Sequence, residues 1–446
     1  EISCSLVGSE MCIRDSFYAN TVNQKFTFDA TDKLSFYARG GYYDNKTRRP
    51  YEAYDYNILH ETFNYGIGAQ YMINKGNYIT ADCYADHFSS SYCFFKDNKT
   101  YNGKAGEEQV RKRTRNHNLS IKGIFKLGNR HKLSVGTEYI VDVLKSQTDN
   151  IAKEDAYTLA LFAQDEIKLL RNLQALIGVR YIYHENFKNH ATPNVALMYK
   201  PGKFNFRASY AAGFRTPTLS ELYATDIAKK NDRLTIGNLD LKPEKNNYFS
   251  LSAEYVHERF SVSVNAFYNN IRDMIDYNTI ATGDKAMEQY GHKEVRQRDN
   301  IAEAKVHGIN VSANAYLGAG FNLSGGYTHL NTQDVELEQP IDKSIKNAYN
   351  INAQWAHSWK IYRLNINLNG RFNSKRFSKS YGYAPEYQLW DLNTRHSFNL
   401  KSVIIEPGCG MENLFDYMDD RPYNSNYATL TPGRSFYISL SLKFKS

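Results

Sequence analysis

A two-residue rhythm of apolar and polar side chains runs from Thr21 almost to the end of the chain, and it restricts the fold more than any single motif does. Alternation of this period belongs to extended backbone with one greasy and one wet face. Phe204, Phe206, Ala208 and Tyr210 share one face, with Asn205, Arg207 and Ser209 on the other. Leu364, Ile366, Leu368, Gly370 and Phe372 oppose Asn365, Asn367, Asn369 and Arg371 in the same way. The last run sets Phe436, Ile438, Leu440, Leu442 and Phe444 against Tyr437, Ser439, Ser441 and Lys443. Such runs are seven to nine residues long, close to the ~9–11 that a tilted strand needs to cross a bilayer.

A strand of a soluble sandwich shows the same two faces, so the connections decide. Nine short turns, around 31–33, 74–76, 128–130, 171–172, 201–203, 257–259, 318–320, 358–360 and 399–401, alternate with long polar segments. These cover roughly 44–61, 90–115, 145–156, 184–192, 213–247, 275–300, 331–348, 373–386 and 416–434. Short on one side and long on the other, without exception, is the layout of an outer-membrane barrel. The expected fold is all-β, a transmembrane antiparallel β-barrel of about nineteen strands. With an odd count the first and last strands run the same way and cannot close an antiparallel seam. An open edge facing lipid would leave backbone groups unpaired, so the expectation is a chain truncated at its N-terminal side.

Composition agrees where it bears on this. No run of eighteen apolar residues exists; the best candidate, Ala156 to Val179, is interrupted by Gln164, Asp165, Glu166, Lys168, Arg171 and Asn172, so no spanning helix is expected. Tyrosine, at 36 residues, outnumbers 24 Phe and 3 Trp together, as suits rings that sit half-wet at an interface. A net charge of +8 over 446 residues is too dilute to imply nucleic acid. Cys83 and Cys93, ten residues apart in an extended segment, lie roughly 33 Å from each other and cannot pair. No zinc-like Cys/His spacing occurs, so no structural metal is expected. Residues 1–16, EISCSLVGSEMCIRDS, neither alternate nor cap. They resemble translated sequencing-adaptor tails and are set apart as a non-native or disordered head, with 17–446 as the barrel.

Two boxes and a closing segment sharpen this. Tyr210 to Tyr223, YAAGFRTPTLSELY, contains Phe214, Arg215, Thr216 and Pro217; after a polar gap come Asn238, Leu239, Asp240, Leu241, Lys242, Pro243 and Glu244. Near the end stand Glu412, Asn413, Leu414, Phe415 and Asp416, then Thr431, Pro432, Gly433 and Arg434 before the final alternating strand. Together they resemble the FRAP box, the NPNLKPE box and the closing segment of TonB-dependent outer-membrane receptors. Thr216 stands where Ala is usual, Leu239 where Pro is usual, and Lys445 and Ser446 follow the terminal aromatic. The resemblance implies a barrel of twenty-two strands, hence three missing here, together with an absent plug domain, TonB box and signal peptide. It also implies residence in the outer membrane of a Gram-negative bacterium among lipid and lipopolysaccharide, and uptake driven by TonB-ExbB-ExbD through the plug. The cargo it implies is a scarce metal chelate, most often a ferric siderophore, sometimes haem or cobalamin. No catalytic residue, cofactor or nucleic-acid partner is expected.

Single residues carry weaker signals. Arg215 and Tyr223 are candidates for a ligand vestibule, since a guanidinium suits anionic chelates; the alternative is loop folding, with Pro217 ending the ladder and Glu221 or Glu244 neutralising Arg215. Arg376, Tyr381, Tyr383 and Tyr423 are further candidate contacts, while most aromatics near them, Tyr387, Trp390, Tyr417 and Tyr427 among them, are expected in the interfacial girdle. Haem receptors of the family usually carry a His between the two boxes. None stands at 218–237, which leaves His184, His190 and His292 nearby. The basic run Arg111-Lys112-Arg113-Thr114-Arg115 lacks the aromatic interleaving of a nucleic-acid site and fits lipopolysaccharide or simple solvation. Asn98 to Gln109 nearly matches a calcium loop, but Thr100 and Gln109 replace required oxygen ligands. A passive porin and a soluble β-rich adhesin remain as other functional classes; the two boxes speak against the first.

Overall fold

The structure, a computed structural model, describes residues 17–47, 56–228, 232–378, 382–419 and 433–444. The proposed head, together with Tyr381, Tyr423, Tyr427, Thr431 and Pro432, lies outside the described residues. In chain order the first ten strands are β1 (Phe17–Asp29), β2 (Leu34–Thr47), β3 (Tyr56–Asn74), β4 (Asn77–Phe94), β5 (Glu108–Leu127), β6 (His131–Ser146), β7 (Ile151–Leu170), β8 (Leu173–His184), β9 (Lys188–Tyr199) and β10 (Phe204–Arg215). A loop then holds α1 (Leu219–Tyr223), β11 (Thr225–Ala228) and β12 (Arg233–Ile236). β13 (Glu244–Val256), β14 (Phe260–Thr282), α2 (Gly283–Tyr290), β15 (Glu294–Gly318), β16 (Phe321–Asp334), β17 (Asn347–Trp359) and β18 (Tyr362–Asn373) follow. The short β19 (Arg376–Ser378) and β20 (Gly382–Ala384) precede β21 (Tyr387–Asn399), β22 (Val403–Glu412) and β23 (Ser435–Phe444).

Nineteen of these strands form the wall. Each pairs antiparallel with its neighbours in sequence, β10 joining β13 and β18 joining β21 across their loops. β11 and β12 extend the same sheet at one end, where β12 runs parallel to β15. Among the described residues β1 bonds only to β2 and β23 only to β22.

The strands are longer than the alternation implies, up to Glu294–Gly318 in β15, and this corrects the expected loops. Segments 145–156 and 184–192 are not loops but tight reversals at 147–150 and 185–187. The apolar period marks only the part of a hairpin that meets lipid, whereas backbone pairing continues above it through polar residues, as in Leu144↔Glu154 and Tyr183↔Asn189. The turn expected at 358–360 falls at 360–361, because Trp359 still pairs with Tyr362. At the other expected turns the chain reverses as anticipated, so one end of the wall, the turn end, is tight throughout.

The greasy faces are not packed against one another. Val195 and Leu197 are both 45 % exposed, Leu251 64 % and Ile438 88 %, while the alternate residues form polar ladders such as Ser209–Ser250 at 2.6 Å and Ser263–Ser312 at 2.7 Å. A water-soluble sheet would bury the first set; a lipid-facing wall shows it. Aromatic belts frame that face. At the turn end Trp355, Trp359, Tyr362 and Phe398 form a continuous chain of ring contacts, and towards the loop end Tyr327, Tyr349 and Phe372 form another. Tyr362 and Phe372 are ten residues apart on β18, roughly 33 Å along the strand and near 25 Å once tilted, the height of an outer-membrane apolar band. Among the described residues the three clusters of buried apolar side chains, around Leu219, Leu222 and Ala286, lie instead at the loop end. The core therefore belongs to the loops, where function is expected.

Candidate functional site at the loop end

Arg215, the last residue of β10, closes two boxes on each other. Its Nε and Nη2 donate to Glu244 Oε2 and Oε1 at 2.8 and 2.6 Å, and its Nη1 and Nη2 donate to Glu221 Oε2 and Oε1 at 2.9 and 3.2 Å. Glu221 simultaneously completes a capping box on α1, accepting from the Thr218 backbone N–H while its own N–H donates to Thr218 Oγ1. Glu244 Oε1 also accepts from the Ile275 N–H at 2.8 Å. Burial pushes the Glu221 carboxyl up, but hydrogen bonds from Arg215 and Thr218 outweigh it and hold the group below the usual carboxylate range. The two carboxylates raise the Arg215 guanidinium above its ordinary value. Both acids that sequence reasoning offered as alternatives thus engage this one guanidinium.

Apolar packing seats the rest of the wedge. Leu219 buries against Leu144, Ile151 and Ala156 of the β6–β7 hairpin, and Leu222 buries against Leu241 and Ile275, with Tyr223 partly buried against both groups. Asn238 N–H donates to the Glu221 carbonyl at 3.1 Å. Gly237 is needed just before it, since a Cβ there would lie 2.4 Å from the Leu222 carbonyl oxygen. Asn300 grips the second box from β15: its Oδ1 accepts from the Lys242 N–H, and its Nδ2 donates to the carbonyls of Lys242 and Asp273. Pro217 and Pro243 are buried, whereas Leu239 and Asp240 are exposed. Phe214 stacks on His190 at 4.6 Å.

A second feature was hidden in the basic run. Between Ser90 and Ser91 the β4–β5 register slips, pairing Lys112 with Ser90 and Val110 with Ser91 and leaving Arg111 without a ladder partner. The extra residue turns Arg111 away from the face its spacing assigns. Its guanidinium lies 5.2 Å from the Tyr92 ring and 5.0 Å from the Tyr101 ring, within cation–π range, and Nη1 donates to Gln147 Oε1 at 3.0 Å. Its buried Nε has no hydrogen-bond partner among the described residues. Lys112 instead pairs with Asp149 at 3.6 Å. Around them opens a cavity of about 680 Å³ lined by Tyr101, Gln109, Arg111, Lys112, Lys145 and Gln147. Tyr56 stacks on Tyr92 behind it, and burial pushes both phenols up, so they stay neutral donors. Sequence reasoning missed Tyr92 and Tyr101, because a register slip leaves no mark in the residue pattern.

The remaining candidates are dispersed. Arg376 and Tyr383 belong to the β19–β20 hairpin, where Tyr383 contacts Phe377 and is 57 % exposed. His184 Nδ1 accepts from the Asn186 N–H, His190 Nε2 lies 2.9 Å from the Phe187 carbonyl, and His292 pairs with Asp232. In the closing segment Asn413 is buried and bonds Tyr417 through both side-chain atoms. Leu414 N–H donates to the Trp390 carbonyl, Phe415 meets the Trp390 ring, and Asp416 Oδ1 accepts from Arg434 N–H beside Gly433.

An antiparallel wall with a lipid-type outer face, tight turns at one end and a packed loop assembly at the other defines a transmembrane β-barrel. The chain matches the family model described as TonB dependent receptor-like, beta-barrel, over residues 12–413, and belongs to that family. Among solved structures it is similar to the ferric enterobactin receptor PfeA from Pseudomonas aeruginosa, with a TM-score of 0.80 and 17 % identity over 96 % of this chain and 70 % of that one. It is also similar to the siderophore receptor PirA from Acinetobacter baumannii, with a TM-score of 0.75 and 15 % identity over 97 % and 71 %. The copper transporter OprC gives a TM-score of 0.73 and 11 % identity over 95 % and 71 %. Receptors of this family are transporters rather than enzymes.

Proposed function

We propose that this barrel imports an anionic metal chelate across the outer membrane, a ferric siderophore before haem or cobalamin, in a receptor energised by TonB through a plug domain. Family membership and similarity to siderophore receptors support transport of this class. The observation that carries the choice of ligand is the Arg111 cavity: a guanidinium with a buried, unpaired N–H, flanked by Lys112 and Lys145 and faced by tyrosines. Such a setting stabilises an anion with flat ligand groups. The same proposal assigns Arg215 to holding the vestibule in shape, with Tyr223 at its wall, and Tyr383 and Arg376 to the opposite loops. In lipid the edges of β1 and β23 need strand partners, and further strands would supply them.

The test presents iron-labelled catecholate, hydroxamate and carboxylate chelates, haem and cobalamin to outer membranes carrying the receptor. One chelate class should bind and accumulate, with accumulation abolished by an uncoupler. Arg111→Gln should weaken that binding by about tenfold to a hundredfold, the loss of one charge-assisted contact. Uptake indifferent to the uncoupler would contradict energy coupling, and unchanged affinity in the variant would remove the cavity from the binding site.

A further inference from the structure

A second basic zone lies at the opposite end of the wall, on its inner face. From β5 to β9 the ladder row Lys126↔Lys132↔Glu166↔Leu176↔Ala196 runs on to Ser209 of β10, whose hydroxyl belongs to the polar ladders of the interior. The next row towards the turns is Lys168↔Gln174↔Met198↔Arg207. Alternation therefore turns Lys126, Lys132, Lys168 and Arg207 to the same inner side. The β5–β6 turn closes on them, with the Lys168 N–H donating to the Arg130 carbonyl at 2.7 Å. Together they line a cavity of about 600 Å³, within the range of small-molecule sites.

Charge in this cavity is one-sided. Among the described residues Glu166 is its one lining carboxylate, and it pairs with Lys132 at 3.1 Å. No described carboxylate pairs with Lys126, Arg130, Lys168 or Arg207, and all four are exposed. Elsewhere at the turn end an inward cation is neutralised, Lys443 by Glu406 at 2.7 Å. Lys126 and Lys132 stand directly opposite each other, which destabilises a strand pair. An anion between them reverses the sign. The zone is also separate from the Arg111 cavity. On β5 Lys112 and Lys126 are fourteen residues apart, roughly 46 Å along the strand. Acids flank the inner face between them, Asp86 and Asp142 on either side of Asn116, Asp82 and Glu138 on either side of Ser120. An anion is attracted at each end and repelled midway.

We propose that Lys126, Lys132, Lys168 and Arg207 form a second anion site, at the turn end of the interior, for a compact polyvalent oxyanion bearing phosphate or carboxylate groups. The ammonium groups act as point charges on such oxygens, and Arg207 adds a planar fork. Low-dielectric walls focus the combined field on the cavity. The assignment needs only the inner face of the wall and stands apart from the choice of cargo. A chelate on its way out and a free anion on that side of the barrel present the same oxygens.

Pyrophosphate and citrate are titrated calorimetrically, at low salt, into the receptor in mild detergent and into its Arg111→Gln variant, in which the loop-end cavity is disabled. Both probes should bind the variant, and more weakly as salt is raised. Replacing Lys126, Lys168 and Arg207 together by Gln in that background should weaken binding at least about tenfold, the loss of charge-assisted contacts. Glu166→Gln, which removes the lining acid, should tighten it severalfold, a gain that a folding defect cannot produce. Unchanged affinity in the triple replacement overturns the assignment, as does weaker binding in Glu166→Gln or the absence of binding to Arg111→Gln. Displacement of pyrophosphate from Arg111→Gln by an iron-labelled chelate assigns the site to cargo in transit, and failure to displace assigns it to a free anion; both outcomes keep the site. Uptake is read on the same variants, so failure of the transport reading is distinguishable from failure of this one.

Discussion

Arg215→Ala is expected to open the segment between β10 and β13 while the pairing of the wall strands stays intact. The substitution strands two carboxylates, Glu221 and Glu244, whose side chains are only 13 % and 14 % exposed. Removing one partner of a fully buried ion pair costs about 3–5 kcal/mol. Arg215 itself is 44 % exposed, so water relaxes part of this and about 2 kcal/mol is the better figure. Protease cleavage within 216–243 should then rise roughly thirtyfold, with heat-modifiable migration unchanged. Arg215→Lys should recover little, since one ammonium cannot fork to two carboxylates. Acid should act through the same contact. The Glu221 carboxyl is held below its ordinary range, so its stabilisation is complete above the unfolded glutamate value and disappears as pH falls through the lower folded one. Cleavage should therefore stay flat near neutrality and climb in acid, and Glu221→Gln should abolish that climb. Unchanged cleavage in Arg215→Ala, accompanied by lost chelate binding, would mean that Arg215 meets ligand and does not hold the loop.

Leu251→Arg should have the larger effect on the barrel itself. Leu251 lies midway along β13 on the exposed apolar face, between Ala208 and Ala266 on the adjacent strands. A guanidinium there meets hydrocarbon at the bilayer midplane, costing about 2–4 kcal/mol. Ser250→Arg, one residue away, faces the polar interior and forfeits only the bond to Ser209, about 1 kcal/mol. Folding yield into lipid vesicles, scored by heat-modifiable migration, should collapse for the first variant and persist for the second. Equal yields would show that this face does not touch lipid.

The wall was legible because lipid imposes a period on every strand, and the nineteen-strand count follows from the alternation of short turns with long connections. Strand length was not legible: above the lipid the hairpins continue through residues such as Asp142, Asp155 and Asn189 with no apolar mark. The boxes 214–217 and 238–244 announced a site, yet their joint dependence on Arg215 needed the fold, because Glu221 and Glu244 are separated in sequence and adjacent only after α1 turns back. Tyr92 and Tyr101 carried no sequence signal for a related reason: their partner Arg111 reaches them through a backbone irregularity, which side-chain chemistry does not encode.

That irregularity at Ser90/Ser91 sets a reading frame for charge. Alternation already sets Lys112 apart from Arg113 and Arg115, and the single unpaired position adds Arg111 to the inward set. Shortening β5 by one residue there would leave composition nearly untouched, yet send the arginine destined for the mouth outward. An insertion or deletion in this run would therefore disturb both surfaces, whereas a single substitution alters one of them alone.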